Sequence, residues 1–224
     1  MDSNRKIAII VGLLFIIATV TAILTIGFLG STLETPLDYN AVSDNEINVI
    51  ISVICWLILA VSVIGIGFMI YPIIKKHNEG LALGYVSLRL VEGICIIISS
   101  ITLLSILTVT KEVVNGSLNN SNYESLGTLL LALQDWSFLV GTLIFLGLGG
   151  LILYYSLYEL KLVPRILSIW GLIGAALVAL YGLFGLFDFA TDSIAVNILA
   201  APIAIQEMVF AAWLIIKGFN TKVN

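Results

Sequence analysis

Apolar residues in this chain come in long runs, and polar residues are held to the short breaks between them. Six runs are distinguishable, at 7–29, 47–74, 81–109, 126–158, 166–189 and 194–216. Each matches or exceeds the roughly 20 apolar residues that a helix needs to cross a hydrocarbon core about 30 Å thick. The pattern predicts an all-α integral membrane protein, a bundle of six transmembrane helices. The connections leave no linker or separate globular stretch, so residues 1–224 are expected to form one domain.

Several breaks carry start signals. Ser43 with Glu46, and Ser121 with Glu124, have the Ser-x-x-Glu spacing of a capping box ahead of the second and fourth runs. Pro164 suits the first turn of the fifth helix, where a missing N–H costs nothing. Arg5 and Lys6 before an apolar stretch, with Val20-Thr21-Ala22 further on, give the first run some features of a signal peptide. The run continues through Leu29, beyond a signal core, and is expected to persist as a helix.

Composition narrows the class further. The chain is 60% hydrophobic and 11% charged, whereas soluble domains carry roughly 25% charged residues. The expected surroundings are therefore a lipid bilayer. A net charge of −4 with no basic patch interleaved with aromatics argues against a nucleic-acid partner. Placing the N-terminus inside puts Arg5, Lys6, Lys75, Lys76, Lys161, Arg165, Lys217 and Lys222 on the cytoplasmic side and leaves Lys111 outside. This is the orientation that the positive-inside bias prefers, with both termini cytoplasmic. The outer loops hold Glu34, Asp38, Asp44, Glu46, Glu112 and Glu124, and formal glycosylation triplets at Asn115 and Asn119.

Reactive groups are few. His77 is the one histidine, in a turn, KKHNEG, that reads as a helix end. Cys55 and Cys95 fall inside apolar runs and read as small apolar residues. No metal site built on several histidines or cysteines is expected, nor a Schiff-base lysine, nor any bound cofactor. The motifs of P-loop enzymes, serine hydrolases and zinc proteases are missing.

Against this background, ionisable residues inside the runs carry most of the interest, because charge in a bilayer is expensive and usually functional. At 1.5 Å per residue Glu92 lies about 16 Å from Leu81, and Glu207 about 15 Å from Lys217, so both are placed near mid-membrane. Tyr85, Arg89, Glu92 and Ser99 share one helix face, which should point into the bundle. Arg89 can reach Glu92 on its own helix and Glu207 on another, with Gln206 alongside. One cation would then face two carboxylates, leaving a proton, a small cation or a small polar ligand to complete the charge balance. The same residues can instead serve as a buried polar clamp that fixes helix packing.

Asp135 and Asp188 lie about 35 Å from the cytoplasmic charges at 1.5 Å per residue, which puts both at the outer interface, with Trp136 and Phe138 as belt aromatics. A paired-aspartate intramembrane hydrolase would need both acids in one wet pocket and is the remote alternative. Ala18 with Ala22, Ala175 with Ala179, and Ala200 with Ala204 have the small-xxx-small spacing of close helix contacts. Gly147 to Gly150 offer a bare patch or a bend in the fourth helix. Three helices followed by three more also permit an inverted repeat, in which Glu92 and Glu207 occupy comparable positions.

The stretches YPIIKKHNEGLALGYVSLRLVEG, LQDWSFLVGTLIFLGLGGLILYYSLYELKLVPRILSIWGLIGA and IAIQEMVFAAWLIIKGF resemble the prokaryotic membrane family known as domain of unknown function 4386. The most specific pieces are LVPR-x-LS-x-WGLIGA, from Leu162 to Ala175, and the QEM of Gln206 to Met208. The resemblance implies a six-helix protein of the bacterial or archaeal cytoplasmic membrane and brings no activity with it. Two functions remain open from the sequence: a structural or accessory membrane protein, with an unidentified protein partner, and a small transporter or ligand-binding protein whose glutamate exchanges a proton or cation. An enzymatic role is not expected.

Overall fold

In a computed structural model the described residues are 3–30, 32–34, 36–116, 121–187 and 193–220, without the side chains of 121, 122, 193–198 and 200. Among them the regular structure is entirely helical. The helices run Ser3–Leu29 (α1), Tyr39–Asp44 (α2), Glu46–Lys75 (α3), Glu79–Val114 (α4), Ser121–Ser137 (α5), a π-helical stretch Phe138–Phe145, Leu146–Glu159 (α6), Arg165–Gly185 (α7) and Ser193–Ile216 (α8). Helix is the natural answer to such a composition, because a helix satisfies its own backbone groups where lipid offers no partners. Five helical stretches among the described residues are long and apolar enough to cross a membrane: α1, α3, α4, α7 and the composite stretch Tyr123–Glu159.

α1 packs on α3, α3 on α4, α4 on α5 and α6, α6 on α7 and α7 on α8, and α8 returns to α1, so the bundle closes into a ring. Large apolar side chains such as Ile26, Val61, Ile173 and Phe184 are exposed on its outside. A continuous apolar exterior of this kind belongs against lipid. Inside, Phe15, Ile66, Ile70, Leu153, Leu157 and Phe210 form part of one core.

The two ends of the bundle are tied differently. At one, Arg5 donates to the carbonyls of Leu214 at 3.0 Å, Ile215 at 2.5 Å and Ile216 at 3.1 Å, capping α8 with a cation from the start of α1. Asn220 N–H donates to the Leu162 carbonyl at 2.7 Å, so the α6–α7 turn and the C-terminal segment share that end. At the other, Lys111 of α4 pairs with Glu46 of α3 at 2.6 Å.

That pair explains one departure from the sequence expectation. Glu46 does not reach back to Ser43, because Ser43 lies inside the short helix α2. Asp38 caps α2, accepting from Asn40 N–H at 2.9 Å and Ala41 N–H at 3.2 Å, and Asn45 precedes α3 without a side-chain cap bond. The corresponding expectation at Ser121 lies outside the described side chains, as does Asn119 outside the described residues. Asn78, beside His77, caps α4 by accepting from Leu81 N–H at 3.0 Å. α4 runs on to Val114, five residues past the expected end at 109, and α7 stops at Gly185, short of 189.

The fourth long helix holds the least expected feature. The eight residues Phe138–Phe145 are π-helical, a widened turn with i→i+5 bonding that resets the facing of everything beyond it. Here Gly141 lies directly against Cys95 of α4, leaving no room for a Cβ. The bare patch that follows is a contact rather than a bend. A Cβ on Gly147 would stand 2.6 Å from Ala179 N and 2.8 Å from Ala175 O, and one on Gly150 would stand 2.8 Å from the Ala175 Cβ. Ala175 and Ala179 therefore meet the glycines of α6. By contrast Ala204 is exposed, and the Ala200 side chain lies outside those described.

Candidate functional site

Tyr85, Arg89, Glu92 and Ser99 all lie on the buried side of α4. Arg89 is 2% exposed, and its own helix supplies partners for its Nε and Nη1. Its Nη1 donates to both carboxylate oxygens of Glu92, at 2.9 and 3.1 Å, and its Nε donates to the Tyr85 hydroxyl at 3.0 Å. The guanidinium stands 5.8 Å from the Phe15 ring centroid of α1 and 5.4 Å from that of Tyr85, distances at which ring faces attract cations. Gly67 of α3 makes the space, since a Cβ there would come within 3.1 Å of the Arg89 Cβ.

The third charged residue arrives from α8. Glu207 Oε1 lies 3.8 Å from Arg89 Nη2, close enough for an ion pair but too far for a hydrogen bond. Arg89 Nη2 has no hydrogen-bond partner among the described residues. The Glu207 side chain is 13% exposed, against 3% for Glu92. The two carboxylates are thus unequal: Glu92 is sealed and doubly bonded, and Glu207 is loosely held with some access to the surroundings.

Gln206, the neighbour of Glu207, is wholly buried and donates from Nε2 to the Leu167 carbonyl of α7 at 3.1 Å. Its Oε1 has no partner among the described residues, and neither does Ser168 Oγ, one residue past Leu167. Tyr154 of α6 completes the group. Its hydroxyl lies within electrostatic reach of Glu207, Tyr85 and Arg89 and beside Gln206, without meeting hydrogen-bond geometry. The Tyr154 ring is pressed against Gly171, where a Cβ would stand 2.5 Å from ring carbons, and packs edge-on to Phe210 at 6.0 Å. Arg89 Nη2, Tyr154 Oη, Ser168 Oγ and Gln206 Oε1 are thus all buried and without a hydrogen-bond partner among the described residues.

Tyr154 and Ser168 were not singled out from the sequence. A tyrosine in an apolar run is indistinguishable from core until its hydroxyl is located. Ser168 did carry a signal, because it belongs with Gly171 and Ala175 to the run that bears the family resemblance. That run and the Gln-Glu-Met stretch meet through the Gln206–Leu167 hydrogen bond.

Other residues of interest stand apart. Asp135 is exposed, beside exposed Trp136 and Phe138, and Asp188 lies outside the described residues. Cys55 and Cys95 are free thiols. No group of three or more His, Cys, Asp or Glu side chains is gathered among the described residues.

No curated protein and no solved structure matches the chain. The family model described as domain of unknown function matches residues 10–218. With that match across nearly its whole length, the chain belongs to the domain of unknown function 4386 family.

Proposed function

We propose that the chain is a six-span membrane protein with both termini cytoplasmic, in which Glu207 exchanges a proton or a small cation beside the Arg89–Glu92 pair, as a small transporter or ligand-binding protein would require. Six crossings are supported by α8, whose 24 residues extend about 36 Å at 1.5 Å per residue. Its C-terminal carbonyls are held by Arg5, so the two termini share an end, as an even number of crossings demands. The same end carries Lys75, Lys76, Lys161, Arg165 and Lys217, which supports a cytoplasmic location for it. Nothing in the exposed position of Asp135 favours a hydrolase, and no enzymatic role is proposed.

One observation carries the exchange reading. Tyr85, Arg89 and Glu92 all belong to α4, so the strong bonds of the cluster are made within one helix and join no helices together. Arg89 is already neutralised by Glu92, and the second carboxylate, at 3.8 Å and partly exposed, is surplus to any clamp. A surplus carboxylate in a low-dielectric interior needs a proton or a cation. The test is the thermal stability of purified wild type, Glu92→Gln and Glu207→Gln between pH 5 and 8. Wild-type stability is expected to change across the range and that of Glu207→Gln to stay flat, with Glu92→Gln less stable throughout. Parallel pH profiles in wild type and Glu207→Gln would overturn the exchange reading.

A structural or accessory role is the second reading, favoured by the Gln206–Leu167 bond that ties α8 to α7. It predicts that Glu207→Gln changes neither pH dependence nor ligand response, while Gln206→Leu loosens the bundle.

A further inference from the structure

Resting on that reading of Glu207, we infer that the region between α6, α7 and α8 is a binding site for a monovalent alkali cation of the sodium class. The oxygen set is Glu207 carboxylate, Gln206 Oε1, Tyr154 Oη and Ser168 Oγ. Three of these belong to side chains no more than 1% exposed and lack a hydrogen-bond partner among the described residues. Buried polar atoms in folded proteins are almost always partnered, and each that is not demands an explanation. A proton on Glu207 answers the charge of one carboxylate. It leaves the oxygens of Gln206, Tyr154 and Ser168 as they were.

A small hard cation answers both requirements, because such ions take oxygen ligands from carboxylates, side-chain amides, hydroxyls and carbonyls. The charge count selects a monovalent ion. Arg89 and Glu92 cancel as a bidentate pair at 2.9 and 3.1 Å, so one negative charge on Glu207 remains to be matched. Gln206 is held with its acceptor oxygen free, because its Nε2 is committed to the Leu167 carbonyl at 3.1 Å. Tyr154 is fixed by Gly171 on one side of its ring and Phe210 at 6.0 Å. Within α8, which is helical throughout, Pro202 has no N–H to bond back to residue 198. Glu207, with its side chain 13% exposed, is the least enclosed member of the set.

The experiment measures the melting temperature of the detergent-purified full chain in sodium chloride, potassium chloride and choline chloride at equal ionic strength, at pH 5 and pH 8. Sodium is expected to raise the melting temperature saturably at pH 8, by about 5–10 °C at a hundred times its dissociation constant. The rise should be smaller at pH 5, where protons compete for Glu207. Tyr154→Phe, which keeps the ring and loses one oxygen, should fold and need at least tenfold more sodium for the same rise. Glu207→Gln should lose the response. Equal melting temperatures in sodium and choline at both pH values would overturn the cation site. If wild type in choline still varies with pH and Glu207→Gln does not, the proton form of the exchange reading survives that failure. If neither varies, both fall together.

Discussion

Removing Arg89 should damage this protein far more than removing Arg89 and Glu92 together. Arg89 and Glu92 are each 2% exposed, and the hydrogen bonds found for the Glu92 carboxylate come from Arg89 Nη1. Arg89→Met leaves a shorter, unbranched side chain without charge and strands the buried Glu92 carboxylate without its hydrogen-bond donor. Breaking a buried pair in this way costs about 3–5 kcal/mol, whereas replacing both partners by apolar side chains of similar volume is often neutral or stabilising. For a chain of this size 1 kcal/mol corresponds to roughly 2–4 °C in melting temperature. Arg89→Met is therefore expected to melt about 6–20 °C lower than wild type, and Arg89→Met with Glu92→Met to recover most of that loss. The assay is a double-mutant cycle by thermal unfolding in one detergent at one pH and salt concentration, since only the cycle separates pairing from packing. A double variant as unstable as Arg89→Met alone would refute the reasoning, for it would mean that Arg89 acts through Tyr85, Phe15 or Glu207 and not through the pair.

Two further predictions concern packing and a loop. Gly147→Ala and Gly27→Ala are the same chemical change with opposite expected signs. The first drives a methyl to within 2.6 Å of the Ala179 backbone, and the second meets nothing within 4 Å. Thermal unfolding should show a loss of about 1–3 kcal/mol for the crowded site and a gain of about 0.5–1 kcal/mol for the open one. Tyr39, whose hydroxyl donates to the Tyr123 carbonyl at 2.6 Å, has its phenol raised above the ordinary value of 10.0, first by burial. The fold favours the neutral phenol, so this contribution is complete below pH 10 and is lost as pH climbs through the raised value. Tyr39→Phe should cost about 0.5–1.5 kcal/mol at neutral pH and remove that share of the alkaline loss, as read by denaturation at pH 8 and above 10.

The long helices were legible because their signal is cumulative: twenty apolar residues in a row admit few alternatives, and an error at either end changes little. Glu46 shows where such reading stops. Its spacing from Ser43 satisfies a capping box, yet Lys111, 65 residues away, takes it at 2.6 Å, and Asp38 captures the preceding residues into a short helix. A cap is a local competition that a distant cation can decide. The π-helical stretch was invisible for a related reason, since FLVGTLIF contains no proline and no charged residue to announce it. Its setting is tertiary, with Gly141 set on Cys95 and Gly182 on Leu143 and Ile144. Within the candidate site, the face of Tyr85, Arg89 and Glu92 could be read from helical spacing. The inequality between Glu92 and Glu207 could not, because it depends on which carboxylate Arg89 reaches first.

That inequality also bears on why the cation is an arginine. A guanidinium presents separate donors in a fixed plane. Arg89 uses this to hold Glu92 through Nη1 and Tyr85 through Nε while leaving Nη2 directed at Glu207. A lysine, a single point of charge, would have to choose between the carboxylates or sit between them, and the distinction between a sealed acid and an exchangeable one would disappear. Arg89→Lys is in this sense a sharper probe of the exchange reading than any deletion. It retains the net charge of the cluster while abolishing the division of labour, so a pH or sodium response confined to Glu207 in the wild type should spread to Glu92 in that variant. Adding Glu92→Gln would then blunt the response. If instead the response of Arg89→Lys is removed entirely by Glu207→Gln, the guanidinium's separate donors are not what sets the two glutamates apart.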